Sequence, residues 1–207
     1  PLPEGDPFSD LTVQLPEVYG DIIDRLAKQT GKEENGTRLK GYINERLDFI
    51  TSKTRDADRP NVYYAMGYPL FALNAERFET NLVQAAGGLS LNKTLTRKGK
   101  PGITISKEEF MDLNPDIIFI SGFLSCPASD FTDYCIKHDL DVPAVRNNRI
   151  YDHFPLWDFG SPRWILGLMY IANILHPEIF HFNMEKEANA FYTQFFNKPF
   201  EAKTANR

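Results

Sequence analysis

Apolar positions along this chain follow two patterns that alternate with each other. In one, apolar residues recur every three to four positions, which is typical of a helix with one buried face. In the other, apolar strand-forming residues stand side by side, which favours a buried strand. The unbroken runs predict strands at 61–66 and 116–120, and the spaced pattern predicts helices from near Glu17 and over 33–55, 75–86, 106–113, 128–138, 161–175 and 184–196.

Local signals place several of the boundaries. Ser106 followed by Glu109 is a capping box, and Asn114-Pro115 ends the helix that it opens. Ser161-Pro162 predicts the start of the next-to-last helix, because a serine hydroxyl accepts from a first-turn N–H and a proline has none to lose. Further short strands are predicted at 142–145 and 149–151, and the last helix is predicted to bury Phe191, Phe195 and Phe196.

The alternation of strands and helices predicts the fold class. Strands separated by helices form a mostly parallel sheet with helices on both faces, which gives a three-layer α/β architecture. In such sheets, ligands meet the loops at the carboxyl ends of the strands. Three loops qualify here, at 67–74, 121–126 and 152–160.

These three loops carry an unusual number of large apolar side chains. Surface loops are ordinarily polar, so a rim of aromatic residues indicates either a covered core or a binding surface. We interpret the rim as a binding surface for a bulky, partly apolar ligand. Its members are Tyr68, Leu70, Phe71, Asn74, Phe123, Leu124, His153, Phe154, Trp157, Asp158 and Phe159.

Composition narrows the functional classes. The chain has 207 residues, a formal net charge of −5 and a pI near 5.4, so it offers nucleic acid no basic surface. No run approaches the roughly 18 apolar residues that a membrane span requires. Cys126 and Cys135 are nine positions apart on what is predicted as one helix, which disfavours a disulfide between them and leaves the redox compartment open.

The sequence contains no motif of a known catalytic or metal site. We find no Gly-x-Ser-x-Gly, phosphate-binding loop, His-Glu-x-x-His or Cys-x-x-Cys. The two cysteines fit buried small apolar residues better than nucleophiles. Among the four histidines, only His153 lies in the aromatic rim. We therefore expect no catalytic residue, no metal ligand, no cofactor and no enzymatic activity.

Several segments, in order over about residues 20–197, together resemble one protein family. They are the long charged helix leading into Arg59-Pro-Asn-Val-Tyr-Tyr-Ala65, the helix from Phe78 that ends in Ala-Gly-Gly88, the Ser106, Glu109 and Asn-Pro-Asp116 pattern before an apolar strand, 145–151, and Ser161-Pro-Arg163 with its apolar helix. This arrangement is similar to the periplasmic solute-binding proteins of ABC importers for iron–siderophores and cobalamin, whose two lobes are joined by a long bridging helix.

The resemblance implies a division of the chain. Residues 1–32 would be an extended leading segment and a short helix, 33–58 the bridging helix, 59–197 the C-terminal α/β ligand-binding lobe, and 198–207 a tail. The N-terminal lobe that precedes the bridging helix in the family would then lie outside this chain. We expect this chain to supply one half of a ligand-binding cleft.

The resemblance also implies partners and residue roles. The protein would bind an iron–siderophore, haem, corrinoid or similar metal chelate and deliver it to an ABC permease. It would work in the periplasm, or outside the cell and anchored to the membrane in a Gram-positive or archaeal host. Asp158 falls where the family places an acidic residue, more often Glu, that pairs with the permease. The ligand-binding candidates are Tyr68, Phe71, Asn74, Phe123, His153, Phe154 and Trp157.

Two other functions remain open at this point. A lobe of a metallocluster or tetrapyrrole oxidoreductase has the same general architecture, but would require cysteines on the strand-end loops, where only Cys126 is near. A sensor or scaffold that kept the fold without transport is the other alternative. Asp158 is also open to a second interpretation, as an acid that stabilises its own loop.

Overall fold

The computed structural model describes residues 16, 19–97, 101–124, 126–153, 157–158 and 161–201. Within these residues the helices are α1 Tyr19–Thr30, α2 Glu33–Thr54, α3 Phe78–Ala85, α4 Lys107–Leu113, α5 Ala128–Lys137, α6 Pro143–Arg146, α7 Trp164–Leu175 and α8 Met184–Phe196. The strands are β1 Asn61–Ala65, β2 Phe71–Leu73, β3 Leu89–Ser90, β4 Gly102–Thr104, β5 Ile117–Ile120 and β6 Ile150–Asp152. A short 3₁₀ helix spans Leu91–Thr94.

The strands form one mixed sheet in the order β4-β2-β1-β5-β6, with β3 also paired to β1. Strands β1, β5 and β6 are parallel, with Val62 opposite Ile117 and Ile118 opposite Ile150. Strands β2 and β4 run antiparallel to their neighbours. The carboxyl ends of β1, β5 and β6 therefore lie at one edge of the sheet, where the sequence predicts ligand-contacting loops.

Side chains of the two central strands alternate between two hydrophobic cores. Tyr64 and Phe119 belong to the larger core, which contains buried residues of α1, α2, α3, α7 and α8. Tyr63 and Ile118 belong to the smaller core, to which α4, α5 and α6 contribute. Because neighbouring residues of a strand face opposite sides, both faces of the sheet are covered by helices. The predicted three-layer α/β fold is confirmed.

Helix α2 is continuous over its 22 residues and ends at Thr54, so the prediction of one unbroken helix from Glu33 is confirmed. Its end lies four residues before the predicted boundary at 58. Tyr42, Leu47 and Ile50 face the larger core, whereas the charged residues of the helix lie mainly outside it. The role of α2 as a bridge between lobes remains a prediction.

The sequence placed some boundaries correctly and others incorrectly. The Ser106 capping box is present, and α4 ends before Asn114-Pro115, as predicted. Asn114 itself adopts a left-handed conformation as the C-cap. Residues 142–145 are not a strand, because Pro143 occupies the first turn of helix α6, where its missing N–H costs nothing. Helix α7 begins at Trp164, after a turn in which the Ser161 hydroxyl accepts from Arg163 N–H at 3.2 Å.

Three further predictions need correction. The predicted loop 67–74 contains strand β2, which pairs with β1 through Ala65 and Ala72, and α3 starts at Phe78 rather than at 75. On α8, Phe191 is buried as predicted, but Phe195 is half-buried and Phe196 is 44% exposed. Phenylalanine occurs both in cores and on surfaces, so the residue type alone does not show which of the three rings is buried.

A buried asparagine completes the hydrogen bonding of the central strand. One edge of β1 pairs with β3 at Asn61 and Val62, and then with β2 at Ala65. Between these pairings, the Asn92 side chain accepts from Tyr64 N–H at 2.7 Å and donates to the carbonyls of Tyr64 and Leu73, both at 2.8 Å. An amide side chain thus replaces the missing length of neighbouring strand.

Replacing Asn92 with aspartate should destabilise the fold by about 3 kcal/mol, because two buried carbonyls would lose their donor and face a carboxylate. Denaturant unfolding of the two proteins measures the difference. Asn44→Asp makes the same substitution at an exposed position of α2 and should change the free energy of unfolding by less than about 0.5 kcal/mol. Equal effects of the two substitutions would contradict this role for Asn92.

Candidate functional site

The turn after β1 presents Tyr68 to solvent. Phe71 N–H donates to the Tyr68 carbonyl at 3.0 Å, and Met66 N–H donates to the Phe71 carbonyl at 2.7 Å, which closes a tight connection between β1 and β2. From below, the buried Tyr63 hydroxyl donates to the Pro69 carbonyl at 2.8 Å. The Tyr68 side chain is 64% exposed at the tip of this turn.

The turn after β5 lies against the turn after β1. Phe123 is 59% exposed and Leu124 is 45% exposed. A Cβ atom placed on Gly67 would lie 3.1 Å from the Leu124 side chain, so the two turns are in contact. Together they expose Tyr68, Phe123 and Leu124 on one edge of the sheet, and we call this surface the aromatic edge.

The described part of the third loop lies in the interior instead. His153 is 5% exposed, and its ring packs against Tyr64, Phe119 and Tyr170 with centroid separations of 6.2, 6.1 and 5.1 Å. Trp157 is also 5% exposed and lies 5.5 Å from the Phe200 ring. The structure therefore places both predicted ligand-binding residues in the core rather than at the aromatic edge.

Asp158 is fully buried and connects the third loop to the sheet. Its Oδ2 accepts from Gly122 N–H at 2.9 Å, from the Ser121 hydroxyl at 3.2 Å and from the Tyr64 hydroxyl at 3.3 Å. A carboxylate with 0% exposure cannot pair with an arginine of another protein. Its burial therefore contradicts the predicted permease-docking role of Asp158. The other interpretation, an acid that stabilises its own loop, fits these contacts.

The remaining predicted residues that the structure describes, Phe71 and Asn74, lie at opposite ends of β2. Phe71 opens strand β2, where it is half-buried and packs against the larger core. Asn74 follows the far end of β2, because that strand runs antiparallel to β1, and its Oδ1 accepts from Glu76 N–H at 2.7 Å. Phe154, and with it the prediction of ligand contact there, lies outside the described residues. Among the predicted residues that the structure describes, Tyr68 and Phe123 lie at the surface on the two turns in contact, and their role in ligand binding remains a prediction.

A second buried acid lies behind the same edge. Glu79, at the start of α3, is fully buried and pairs with Arg77 at 3.0 Å. Burial raises the pKa of Glu79, and the neighbouring Asp158 charge adds to this, while Arg77 opposes it. The pKa of Tyr64 is raised as well, by burial and by the negative charges of Asp158 and Glu79. This interior is therefore sensitive to added negative charge.

Both cysteines are free thiols. Cys126 is half-buried and Cys135 is buried, and burial raises the pKa of the Cys135 thiol to about 12, which keeps it protonated at neutral pH. Among the described residues, no group of three His, Cys, Asp or Glu side chains is placed to hold a metal ion. No helix in the described part of the chain is both long and apolar enough to cross a membrane.

The structure also contains an apolar groove of about 440 Å³ between α1, α2 and α8. Ile22 and Leu39 are among its apolar walls, and Lys32 and Arg38 also line it. None of the predicted site residues lines this groove. It is therefore a separate feature from the aromatic edge.

Sequence reasoning missed the residues that support the aromatic edge. The sequence predicts Tyr63 and Tyr64 only as members of a buried strand, and Ser121 only as a loop residue. The one available signal was the Ser-Gly pair that directly follows an apolar strand, since small residues at that point are typical of a tight turn. Nothing in the spacing shows that Asp158, 37 positions beyond Ser121, accepts from it.

Solved structures with the same architecture are solute-binding proteins. A periplasmic solute-binding protein from Veillonella parvula DSM 2008 matches 92% of this chain with a TM-score of 0.78 at 22% identity. An ABC-transporter solute-binding protein from Sulfurospirillum deleyianum DSM 6946 matches 90% with a TM-score of 0.73 at 23% identity. CeuE from Helicobacter pylori, solved as a complex with nickel and histidine, matches 88% with a TM-score of 0.72 at 23% identity.

The chain has the fold of a solute-binding protein. It spans 59% of the Veillonella and Sulfurospirillum chains and 58% of the Helicobacter chain, so it corresponds to part of such a protein. No model of a known protein family matches the sequence, and no curated protein sequence matches it. At this level of identity the likeness establishes the fold.

Trp157→Ala should lower the free energy of unfolding by about 3–5 kcal/mol, because it removes a large ring from the core. The sequence predicts Trp157 as a ligand-binding residue, whereas its burial predicts a large effect on stability. Denaturant unfolding measures the effect. Phe123→Ala, which removes an exposed ring, should change stability by less than about 1 kcal/mol. A small effect at Trp157 would contradict its placement in the core.

Glu79→Gln should reduce the pH dependence of stability. Because the folded pKa of Glu79 is raised, its contribution to stability is present below the ordinary glutamate pKa of 4.5 and is lost as pH rises through the folded pKa. The stability of the unmodified protein, measured relative to Glu79→Gln, should therefore fall as pH increases from 4 towards neutral. Unfolding curves across this range test the sign, with Glu76→Gln as the exposed reference substitution.

Proposed function

We propose that this chain is part of the substrate-binding component of an ABC importer. It captures an iron–siderophore, haem, corrinoid or similar metal chelate between two lobes, and the complete protein delivers that ligand to a membrane permease. In this proposal, helix α2 (Glu33–Thr54) is the bridging helix of segment 33–58, and 59–197 form the C-terminal lobe. The fold shared with solute-binding proteins supports this division.

The observation that carries the proposal is the aromatic edge. Among the described residues, seven large apolar side chains are exposed, and three of them, Tyr68, Phe123 and Leu124, lie on two turns that touch each other. Those turns follow parallel strands, at the edge where sheets of this class bind ligands. An exposed apolar patch at such an edge favours binding of a bulky, partly apolar molecule.

Binding at this edge requires no chemical step. Aromatic rings offer a large contact area and lose little conformational entropy when a ligand fixes them. The organic periphery of a metal chelate provides matching apolar faces. Since half of a cleft buries only part of the ligand, we expect this chain alone to bind more weakly than the complete protein.

The rest of the proposal concerns the complete protein. A continuous helix between lobes resists hinge motion more than a flexible loop does, so we expect the cleft to close with little rearrangement. The Veillonella protein is periplasmic, which supports a location outside the cytoplasm for the complete protein. In a Gram-positive or archaeal host, we expect the complete protein to be anchored to the membrane. Because Asp158 is buried, docking to the permease would use other residues. We propose a transport role without catalysis.

Phe123→Ala and Tyr68→Ala should each weaken binding about tenfold, because each removes a ring that contacts the ligand. The probes are haemin, a nickel–histidine complex and a ferric trihydroxamate, each titrated into the 207-residue chain with calorimetric detection. Ile136→Ala removes an exposed apolar side chain from the far part of α5 and should leave affinity unchanged. The proposal fails if none of the probes binds, or if all three variants bind like the unmodified chain.

A further inference from the structure

We propose that Asp158 is the positioning residue of the aromatic edge: its carboxylate fixes the β5 turn and so determines where Phe123 meets the ligand. The contact between Phe123 and a ligand rests on the proposed function. The effect of a buried acid on one loop on the conformation of another loop depends only on the hydrogen bonds between them.

The carboxylate holds the β5 turn through two consecutive residues. Gly122 N–H donates to Asp158 Oδ2 at 2.9 Å, and the Ser121 hydroxyl donates to the same oxygen at 3.2 Å. Hydrogen bonds to an ionised acceptor are stronger than those between neutral groups, and the buried setting strengthens them further. The residue that follows Gly122 is Phe123.

Asp158 also determines the direction of the hydrogen bond between Ser121 and Phe123. The Ser121 oxygen accepts from Phe123 N–H at 3.3 Å. A carboxylate can only accept, so the single hydrogen of Ser121 must point to Asp158 and its lone pairs remain available for Phe123 N–H. Asp158 is therefore connected to Phe123 both through Gly122 and through the Ser121 hydroxyl.

Asp158 can transmit position because its own loop is fixed to the rigid part of the lobe. The Trp157 carbonyl lies so close to α7 that a Cβ atom on Gly167 would be 2.0 Å from its oxygen, so only glycine fits there. The Trp157 ring packs against Phe200. The Tyr64 hydroxyl ties the carboxylate to β1 as well.

Stability alone does not explain this acid. Asp158 Oδ1 is buried and accepts no hydrogen bond from the residues that the structure describes. A buried carboxylate with one unsatisfied oxygen is costly, and an apolar side chain in its place would often stabilise a fold as well or better. Two of the three hydrogen bonds to the other oxygen, Oδ2, come from the β5 turn, which points to a role in shaping that turn.

The test is amide hydrogen exchange of Asp158→Asn in the 207-residue chain, read residue by residue by NMR. We expect Gly122 and Phe123 to exchange at least tenfold faster, with an upfield shift of the Gly122 amide proton, while Tyr64 N–H, held by Asn92, changes no more than global stability requires. Asp133→Asn removes the same charge from an exposed position of α5 and should alter neither amide.

Ser121→Ala provides a second variant should Asp158→Asn fail to fold. It removes the bond to Phe123 N–H and leaves the bond from Gly122 to Asp158, so Phe123 alone should exchange faster. Unchanged exchange at Phe123 in this variant, or uniform acceleration of all amides in Asp158→Asn, would overturn the positioning role.

Affinity separates this inference from the proposed function. With haemin as the probe, Asp158→Asn should weaken binding in proportion to the loss at Phe123→Ala, about tenfold or less. If Phe123→Ala binds haemin normally but the amide changes appear, the positioning contacts stand and the proposed ligand contact fails. If Phe123→Ala weakens binding and Asp158→Asn changes neither affinity nor exchange, the positioning role fails and the proposed function stands.

Discussion

Strand β1 must satisfy its hydrogen bonds on both edges, and the rest of the sheet is arranged around the way it does so. One edge pairs with β5 along its length. The other edge changes partner, from the parallel β3 to the antiparallel β2, and Asn92 fills the gap at Tyr64. An unpaired N–H or carbonyl at the centre of a buried sheet would cost about 1–3 kcal/mol of folding free energy. The exchange of partners is possible because one amide side chain offers both a donor and an acceptor.

The same exchange creates the surface on which the functional proposal rests. Because β2 turns back directly after β1, the connecting turn is short and projects Tyr68 beyond the sheet edge. Strand β5 ends beside it, and its turn projects Phe123 and Leu124. Beneath these residues, Tyr63 and Asp158 hold the two turns through their hydrogen bonds. Exposed apolar groups thus stand on a polar framework that is itself buried, which is an arrangement suited to a preformed binding surface.

Burial separates residues that look alike in the sequence. Phe123, Trp157 and His153 all follow strand ends, yet one is mostly exposed and two are enclosed. Solute-binding proteins share this architecture at 22–23% identity, which shows how far the side chains can change while the layers remain. The layers therefore define the fold, whereas the choice of ligand in the proposed function depends on the few side chains that remain accessible.

The sequence by itself determined most of the helices, the central strands and the layered fold class. The unbroken apolar run Ile117–Ile120, the Ser106 capping box and the long helix from Glu33 are encoded within a few neighbouring residues, so periodicity and capping chemistry suffice to find them. Only the tertiary structure decided that Trp157 and Asp158 face inward, that β2 lies within a predicted loop, and that Phe196 is exposed. Each of these outcomes depends on contacts between distant residues, such as Asp158 with Gly122 or Trp157 with Gly167. The local sequence pattern does not predict such contacts, because their free energy depends on how distant segments pack against each other in the core.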